Sequence, residues 1–354
     1  MIGYKPDGTR RMKTIYGITI KEVERKEREL REQIDRGINV SEIITVGDWA
    51  DQWIKTYKND LSYYTVRRYQ SIIDIHIKPN LGRMKLEDVK LRHIQSLINK
   101  MDNYSASSVK KLRDTLHQMY TTAIANDLAI KDPTVGLIIN KREKRERKSL
   151  SEEEIARLNE FCKHSDCGTF IMTLLYTGLR RGEISALVWK DIDLENGIIN
   201  VNKAVVFKNN HPIIRPPKTK TSIREVPILD NLKKVLETYK KEYIRKYGAD
   251  IQEKAVFVNG LGNPHTESSI NKFWNRFLRE YNEYYNTNAK FGMHQFRHTF
   301  CTMLYNSGVD IKTAQAVLGH ADVSITLSVY THLGENQKKY SIDKLNEYIK
   351  KESL

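Results

Sequence analysis

At 354 residues the chain is long enough to bury two or three cores, so a single-core fold is not expected. Lys and Arg total 59 against 44 Asp and Glu, and a net charge of +15 calls for a polyanionic partner, either nucleic acid or an anionic membrane surface. No run of about 18 apolar residues occurs and no apolar segment follows Met1, so a soluble, cytoplasmic protein with no membrane partner is expected. Cys162, Cys167 and Cys301 form no C-x-x-C pair, which fits a reducing compartment without a disulfide or structural zinc framework.

In chain order, Lys5-Pro6-Asp7-Gly8 predicts a turn, followed by a basic strand over 9–16. Thr19 and Glu22 have the spacing of a capping box and open a heavily charged helix ending near Arg36, before Gly37. From Val46 to about Leu137 the apolar spacing is helical. Trp49, Trp53 and Tyr57 recur every four residues and read as core, not as a base-stacking platform. Ile72, Ile73 and Ile77 form a second stretch that Pro79-Asn80-Leu81-Gly82 is expected to break. A third helix is expected over 86–101, and Ser107 or Ser108 is expected to open a fourth containing Val109, Leu112, Leu116, Met119 and Ala123. Arg67, Arg68, Lys110, Lys111 and Arg113 on these helices have the charge and reach for phosphate contacts. Residues 140–149, NKREKRERKS, carry six basic side chains and no aliphatic one, so they cannot pack and read as an exposed linker. Lys141, Arg142, Lys144 and Arg145 of this run have the charge for further phosphate contacts.

Ser151 and Glu154 form another capping box, opening a helix over 152–163. The apolar run from Phe170 to Tyr176 stops at Thr177-Gly178, after which Arg180 is expected in the first turn of a new helix. From Ile192 to Ile228 β-branched residues alternate with polar ones, with turns at Glu195-Asn196-Gly197 and Lys208-Asn209-Asn210, predicting a small antiparallel sheet. Leu232, Leu236, Tyr239 and Tyr243, then Ile270 to Tyr281, mark amphipathic helices. In the helix beginning near Met293, His294 and Arg297 are one turn apart and can converge on a small anion. Asp310 reads as an N-cap and Gly319 as the glycine ending a helix over 311–318, which would aim His320 off a helix end. Asp322 or Ser324 is expected to start a last short helix, with Tyr330 near its end. Ile342, Leu345 and Ile349 lie on one face of a terminal helix that needs a partner to cover it.

The order His294-x-x-Arg297, then Leu318-Gly319-His320, then Tyr330 resembles the second signature box of the tyrosine recombinases, the phage and transposon integrase family. Thr177-Gly178-Leu179-Arg180-Arg181-Gly182-Glu183 matches the first box, and Lys218 in Pro217-Lys218-Thr219-Lys220-Thr221 sits where that family carries a hairpin lysine. The resemblance covers roughly residues 45–335. It implies a mostly α fold with a small antiparallel sheet (α+β), in which a helical core-binding domain and a mixed catalytic domain form a C-shaped clamp on DNA. The expected divisions are a partial arm-site-like hairpin and charged helix over 1–44, the core-DNA-binding domain over 45–139, the basic linker over 140–149, the catalytic domain over 150–334, and a C-terminal helix over 335–354 docking on a neighbouring protomer. The opening strand is at most a stub, so arm-site binding is not assigned.

The resemblance also implies roles. Arg180 and Arg297 would hold the two non-bridging oxygens of a phosphodiester, since a guanidinium stays charged and matches paired oxygens with a planar fork. Tyr330 would be the nucleophile, Lys218 would protonate the departing 5′ oxygen, His294 would handle the tyrosine proton and His320 would bond a non-bridging oxygen. Glu183 would orient and balance the basic cluster. No cofactor is expected, because a phosphotyrosyl ester conserves the energy of the cleaved bond. A zinc site on His294 and His298 is not expected, because Gln295 replaces the glutamate of an H-E-x-x-H motif. The expected partners are double-stranded DNA, three further copies of the chain in a homo-tetramer on two DNA sites, and a directionality or DNA-bending factor. The implied function is a site-specific integrase of a conjugative transposon or prophage. The alternatives are a recombinase resolving chromosome or plasmid dimers, or a catalytically inert DNA-binding regulator of the same fold.

Overall fold

A computed structural model describes residues 3–4, 10–11, 14–35, 44–139, 149–217, 220–324 and 326–327. The chain divides into two compact units, residues 1–145 and 146–354. Among the described residues no helix is long and apolar enough to cross a membrane.

In the first unit a two-residue strand β1 (Gly3–Tyr4) pairs antiparallel with β2 (Arg10–Arg11), and α1 (Ile20–Asp35) follows. Its start is capped as expected: Thr19 Oγ1 accepts from Glu22 N at 3.3 Å, and Glu22 Oε2 accepts from Ile18 N at 3.0 Å. The helical bundle consists of α2 (Val46–Tyr57), α3 (Tyr63–Ile72), α4 (Lys78–Leu81), α5 (Leu91–Asn99) and α6 (Ala106–Ala125). Trp49 and Trp53 are buried against α6, and their indole N–H groups donate to Met119 O at 3.0 Å and Thr122 Oγ1 at 3.1 Å. Tyr57 departs from the stripe. It is exposed at the helix end, donating to Asn126 Oδ1 at 2.9 Å.

Three boundaries differ from expectation. Pro79 does not break its helix, because a π turn (Ile73–Ile77) precedes α4 and Pro79 falls in the first turn of that segment, where its missing N–H is least needed. The expected third helix is a 3₁₀ turn (Leu86–Asp88) followed by α5. Ser105, not Ser107 or Ser108, caps α6, its Oγ accepting from Ser108 N at 3.2 Å.

The second unit opens with α7 (Glu152–Cys162), whose Ser151–Glu154 capping box forms in both directions. Next comes α8 (Gly168–Thr177), which runs through the centre of the unit with nine of its ten residues buried. A helix apolar on nearly every side is stable only when surrounded, and α7, α10 (Asp230–Tyr247) and α12 (Met293–Asn306) pack on it. After the short α9 (Arg181–Ile184) the predicted strand region forms two antiparallel sheets rather than one. In one, β4 (Ile198–Val201) lies between β3 (Ile192–Asp193) and β7 (Arg224–Pro227); in the other, β5 (Ala204–Lys208) pairs with β6 (His211–Arg215). The hairpin turn at Asn209-Asn210 has both residues at positive φ, +50° and +68°, as a two-residue turn matching the strand twist requires. The unit continues through α11 (Glu267–Tyr285) and α12 to α13 (Ile311–Leu318). Helix α13 begins at the Asp310 N-cap and ends at Gly319, with φ +65°.

Candidate functional site

Two glycines place the polar centre of the second unit. Gly178 ends α8 in the left-handed conformation (φ +61°), turning the chain so that Leu179 is buried and Arg180 becomes the N-cap of α9. Arg180 therefore precedes the helix rather than occupying its first turn. Glu183, at the third helical position, accepts from Arg180 N with Oε2 at 2.8 Å and from Arg180 Nη1 with Oε1 at 2.6 Å. Gly319 performs the corresponding turn at the end of α13. The Gly319 N–H bonds Gln315 O at 2.8 Å, and Gln315 Nε2 donates to His320 O at 3.0 Å, which fixes the backbone of His320.

The last turn of an α-helix leaves its carbonyls without intrahelical partners, and their aligned dipoles favour cations. Here three arginines from three different elements each take one of three successive carbonyls. Arg224 Nε on β7 donates to Val317 O at 2.7 Å, Arg297 Nη2 on α12 to Leu318 O at 2.6 Å, and Arg180 Nη2 to Gly319 O at 2.9 Å. Arg297 Nη1 also donates to Gly178 O at 2.9 Å, so its guanidinium spans the ends of α8 and α13. Arg297 is only 2% exposed, and its buried Nε has no hydrogen-bond partner among the described residues. Burial, then the charge of Arg180, lowers its guanidinium to about 9 against the counteracting Glu183; it remains charged at neutral pH.

Glu183 is the carboxylate of this centre. Burial opposes its ionisation, yet Arg224 and Arg180 hold it at about 2. Among the described residues three guanidiniums face one carboxylate here, an excess of two positive charges that suits an anion. His320 completes it. Burial, then Arg297, Arg180, His294 and Arg224, push the imidazole down to about 3, so it is neutral at working pH. Its Nδ1 lies 2.8 Å from Thr326 Oγ1, and Thr326 is fully buried. A neutral imidazole with one nitrogen engaged keeps the other available as a hydrogen-bonding group.

Of the residues singled out in the sequence, the structure brings Arg180, Glu183, Arg297 and His320 together. His294 lies one helical turn before Arg297 at the exposed start of α12, and it is among the groups that lower His320. Lys218 and Tyr330 lie outside the described residues, as do Lys141, Arg142, Lys144, Arg145 and the C-terminal helix expected within 335–354. In the first unit Arg67, Arg68, Lys110 and Lys111 are exposed, whereas Arg113 is engaged by Asp114 at 2.5 Å. Sequence reasoning missed Arg224 and Thr326. The only sequence trace of Arg224 is a charged residue inside a short β-branched run, which reads as an ordinary solvent-facing strand position. Among the described residues no three His, Cys, Asp or Glu side chains cluster as metal ligands.

Fold and site thus define an α+β protein with a preformed, arginine-built anion centre. The family model described as the phage integrase family matches residues 148–337, and that of the phage integrase N-terminal SAM-like domain matches residues 45–101. A XerC-like tyrosine recombinase of Caldanaerobacter subterraneus subsp. tengcongensis is 31% identical, over 98% of this chain and 94% of that protein. The transposase from transposon Tn916 of Enterococcus faecalis is 26% identical, over 92% of this chain and 84% of that one. Among solved structures, the Tn1549 transposon integrase in complex with a circular intermediate DNA has the same fold, with a TM-score of 0.73 at 22% identity over 85% of this chain and 99% of that chain. The chain belongs to the phage integrase family, the tyrosine recombinases. It is a site-specific DNA recombinase, an enzyme that cuts and rejoins strands.

Proposed function

We propose that the chain integrates and excises a mobile element, a conjugative transposon or prophage, through a 3′-phosphotyrosyl intermediate formed by Tyr330. The observation that carries this reading is the set of three guanidiniums on Val317 O, Leu318 O and Gly319 O, with His320 beside them. A phosphodiester is the anion that such a centre suits. It bears one charge on two equivalent oxygens, and attack at phosphorus adds charge that preorganised donors stabilise. Arg180 and Arg297 hold the non-bridging oxygens, His320 donates to one of them, and Glu183 orients Arg180. The Tyr330 oxygen bonds phosphorus as the bond to the 5′ oxygen breaks; His294 takes the phenol proton and Lys218 gives one to the leaving oxygen. Attack by a 5′-hydroxyl from a second site reverses these steps and exchanges the strand, without ATP.

In this reading residues 45–139 and the second unit both bind the duplex. Arg67, Arg68, Lys110 and Lys111, with Lys141, Arg142, Lys144 and Arg145, supply phosphate contacts. Four protomers act on two DNA sites in the bacterial cytoplasm, residues 335–354 docking on a neighbour, with a directionality or bending factor assisting. The names of the relatives from Tn916 and of the ICEBs1 integrase of Bacillus subtilis favour a mobile element over dimer resolution.

The test is a nicked suicide duplex containing the element's own junction, resolved on a denaturing gel. Wild-type protein accumulates a covalent protein–DNA adduct, and Tyr330→Phe binds the same duplex without forming one. An adduct that persists in Tyr330→Phe removes Tyr330 from its role, and no adduct from wild-type protein makes the chain an inert regulator.

A further inference from the structure

We propose that Arg224 is a positioning residue of the recombination centre: it takes up the charge of Glu183 so that the guanidinium of Arg180 stays available to the scissile phosphate. This rests on the reading of Arg180 given above and deepens it. The Glu183 carboxylate accepts four hydrogen bonds, which is about its full capacity. Oε1 takes Arg180 Nη1 at 2.6 Å and Arg224 Nη1 at 3.1 Å, while Oε2 takes Arg180 N at 2.8 Å and Arg224 Nη2 at 2.9 Å. Arg224 thus meets both oxygens with its fork, while the Arg180 side chain meets only one.

The two arginines differ in what they can reach. The Arg224 side chain is 4% exposed and closed in by Glu183, Val317 O and Ser222 O, the last at 3.2 Å from Nη1. Four of its five N–H groups are thereby engaged. The Arg180 side chain is 38% exposed. If Glu183 had Arg180 alone for a partner, the buried pair would be neutral and the phosphate would meet one charge fewer. With Arg224 present the three groups carry a net positive charge, displaced toward the member that faces solvent. Arg224 also fixes where that member points, because its Nε bond to Val317 O ties β7 to the same helix end that receives Arg180 at Gly319 O. Gly319 is shaped to this contact: a Cβ there would lie 2.9 Å from Arg224 Cδ.

The experiment uses full-length protein and the nicked suicide duplex, measuring single-turnover adduct formation at saturating and sub-saturating protein, with melting temperatures alongside. Arg224→Gln is expected to slow adduct formation at saturation by about 10- to 100-fold while changing DNA affinity less than about threefold. Arg224→Lys, which keeps the charge but not the fork, is expected to recover part of the rate. Adding Glu183→Gln to Arg224→Gln is expected to make the enzyme faster than Arg224→Gln alone, because the carboxylate that cancels Arg180 is gone. A purely structural residue would not give that sign. A rate for Arg224→Gln within about twofold of wild type overturns the proposal, as does a defect confined to DNA affinity, or a double variant slower than either single one. If Arg224→Gln melts below the assay temperature, Arg224→Lys carries the test: the expected result is a rate below wild type that rises when Glu183→Gln is added, and a fall on that addition overturns the proposal. Absence of adduct from wild-type protein would overturn the reading of Arg180 as well, which separates the two failures.

Discussion

Arg297 donates through Nη1 to the carbonyl of Gly178 at 2.9 Å, joining residues 119 positions apart in the chain. That carbonyl is presented because Gly178 adopts φ +61°, and the turn fits because glycine has no Cβ. An added one would lie 2.8 Å from Phe300 Cδ1 and 2.9 Å from Leu318 Cδ2. Gly178→Ala should therefore combine a strained backbone with an overpacked interior and destabilise the protein by about 2–3 kcal/mol. Urea unfolding checks the magnitude. A variant as stable as wild type would mean that the turn is not needed.

Arg297→Lys should preserve charge and abolish the span between Gly178 O and Leu318 O, because an ammonium on a flexible stem cannot hold two fixed carbonyls and a phosphate together. The expected loss is roughly 10²-fold in the single-turnover cleavage rate, with DNA affinity little changed. A cleavage rate within threefold of wild type would show that charge alone suffices.

The pH dependence of stability follows from His320 and Glu183. The folded-state value of His320 is pushed from 6.5 down to about 3, by burial first and then by the neighbouring guanidiniums. The unfolded chain binds that proton more readily, so this contribution is complete above about 6.5 and is lost as pH falls toward 3. Glu183 is held at about 2 against an ordinary 4.5, and its contribution is lost in a lower window, from about 4.5 down to 2. The melting temperature of DNA-free protein should accordingly fall between pH 6.5 and 4.5, and less so in His320→Asn. An equally steep fall in that variant contradicts the assignment.

If residues 140–149 lie against the phosphate backbone, replacing Lys141, Arg142, Lys144 and Arg145 together with serine should flatten the salt dependence of DNA binding. The slope of log affinity against log salt should decrease by about 0.9 for each phosphate no longer neutralised, some three to four in all. Binding titrations at several salt concentrations measure it directly, and an unchanged slope would place these side chains in open solvent.

Much of the centre was legible because its members are tied to short-range pattern. The i, i+3 spacing of His294 and Arg297, the cap at Asp310 and the terminating Gly319 are local features with local causes. Arg224 was not legible because its partner Glu183 is 41 residues away and nothing near either residue signals the pairing. Thr326 was invisible for a different reason: His320 is only six residues away, but a lone threonine carries no signal until the imidazole it meets is placed. In the first unit Pro79 misled because proline interrupts a regular helix, whereas the chain has a widened turn just before it. Ser105 was passed over in favour of Ser107 and Ser108 because a serine cluster offers several caps, and only packing selects one.

Helix α13 is eight residues long, and its final carbonyls seat all three arginines. Those side chains therefore share a fate: a slide of this one segment by a single residue's rise, about 1.5 Å, would unseat them together. Losing that helix end would abolish the centre at once rather than weaken it by degrees.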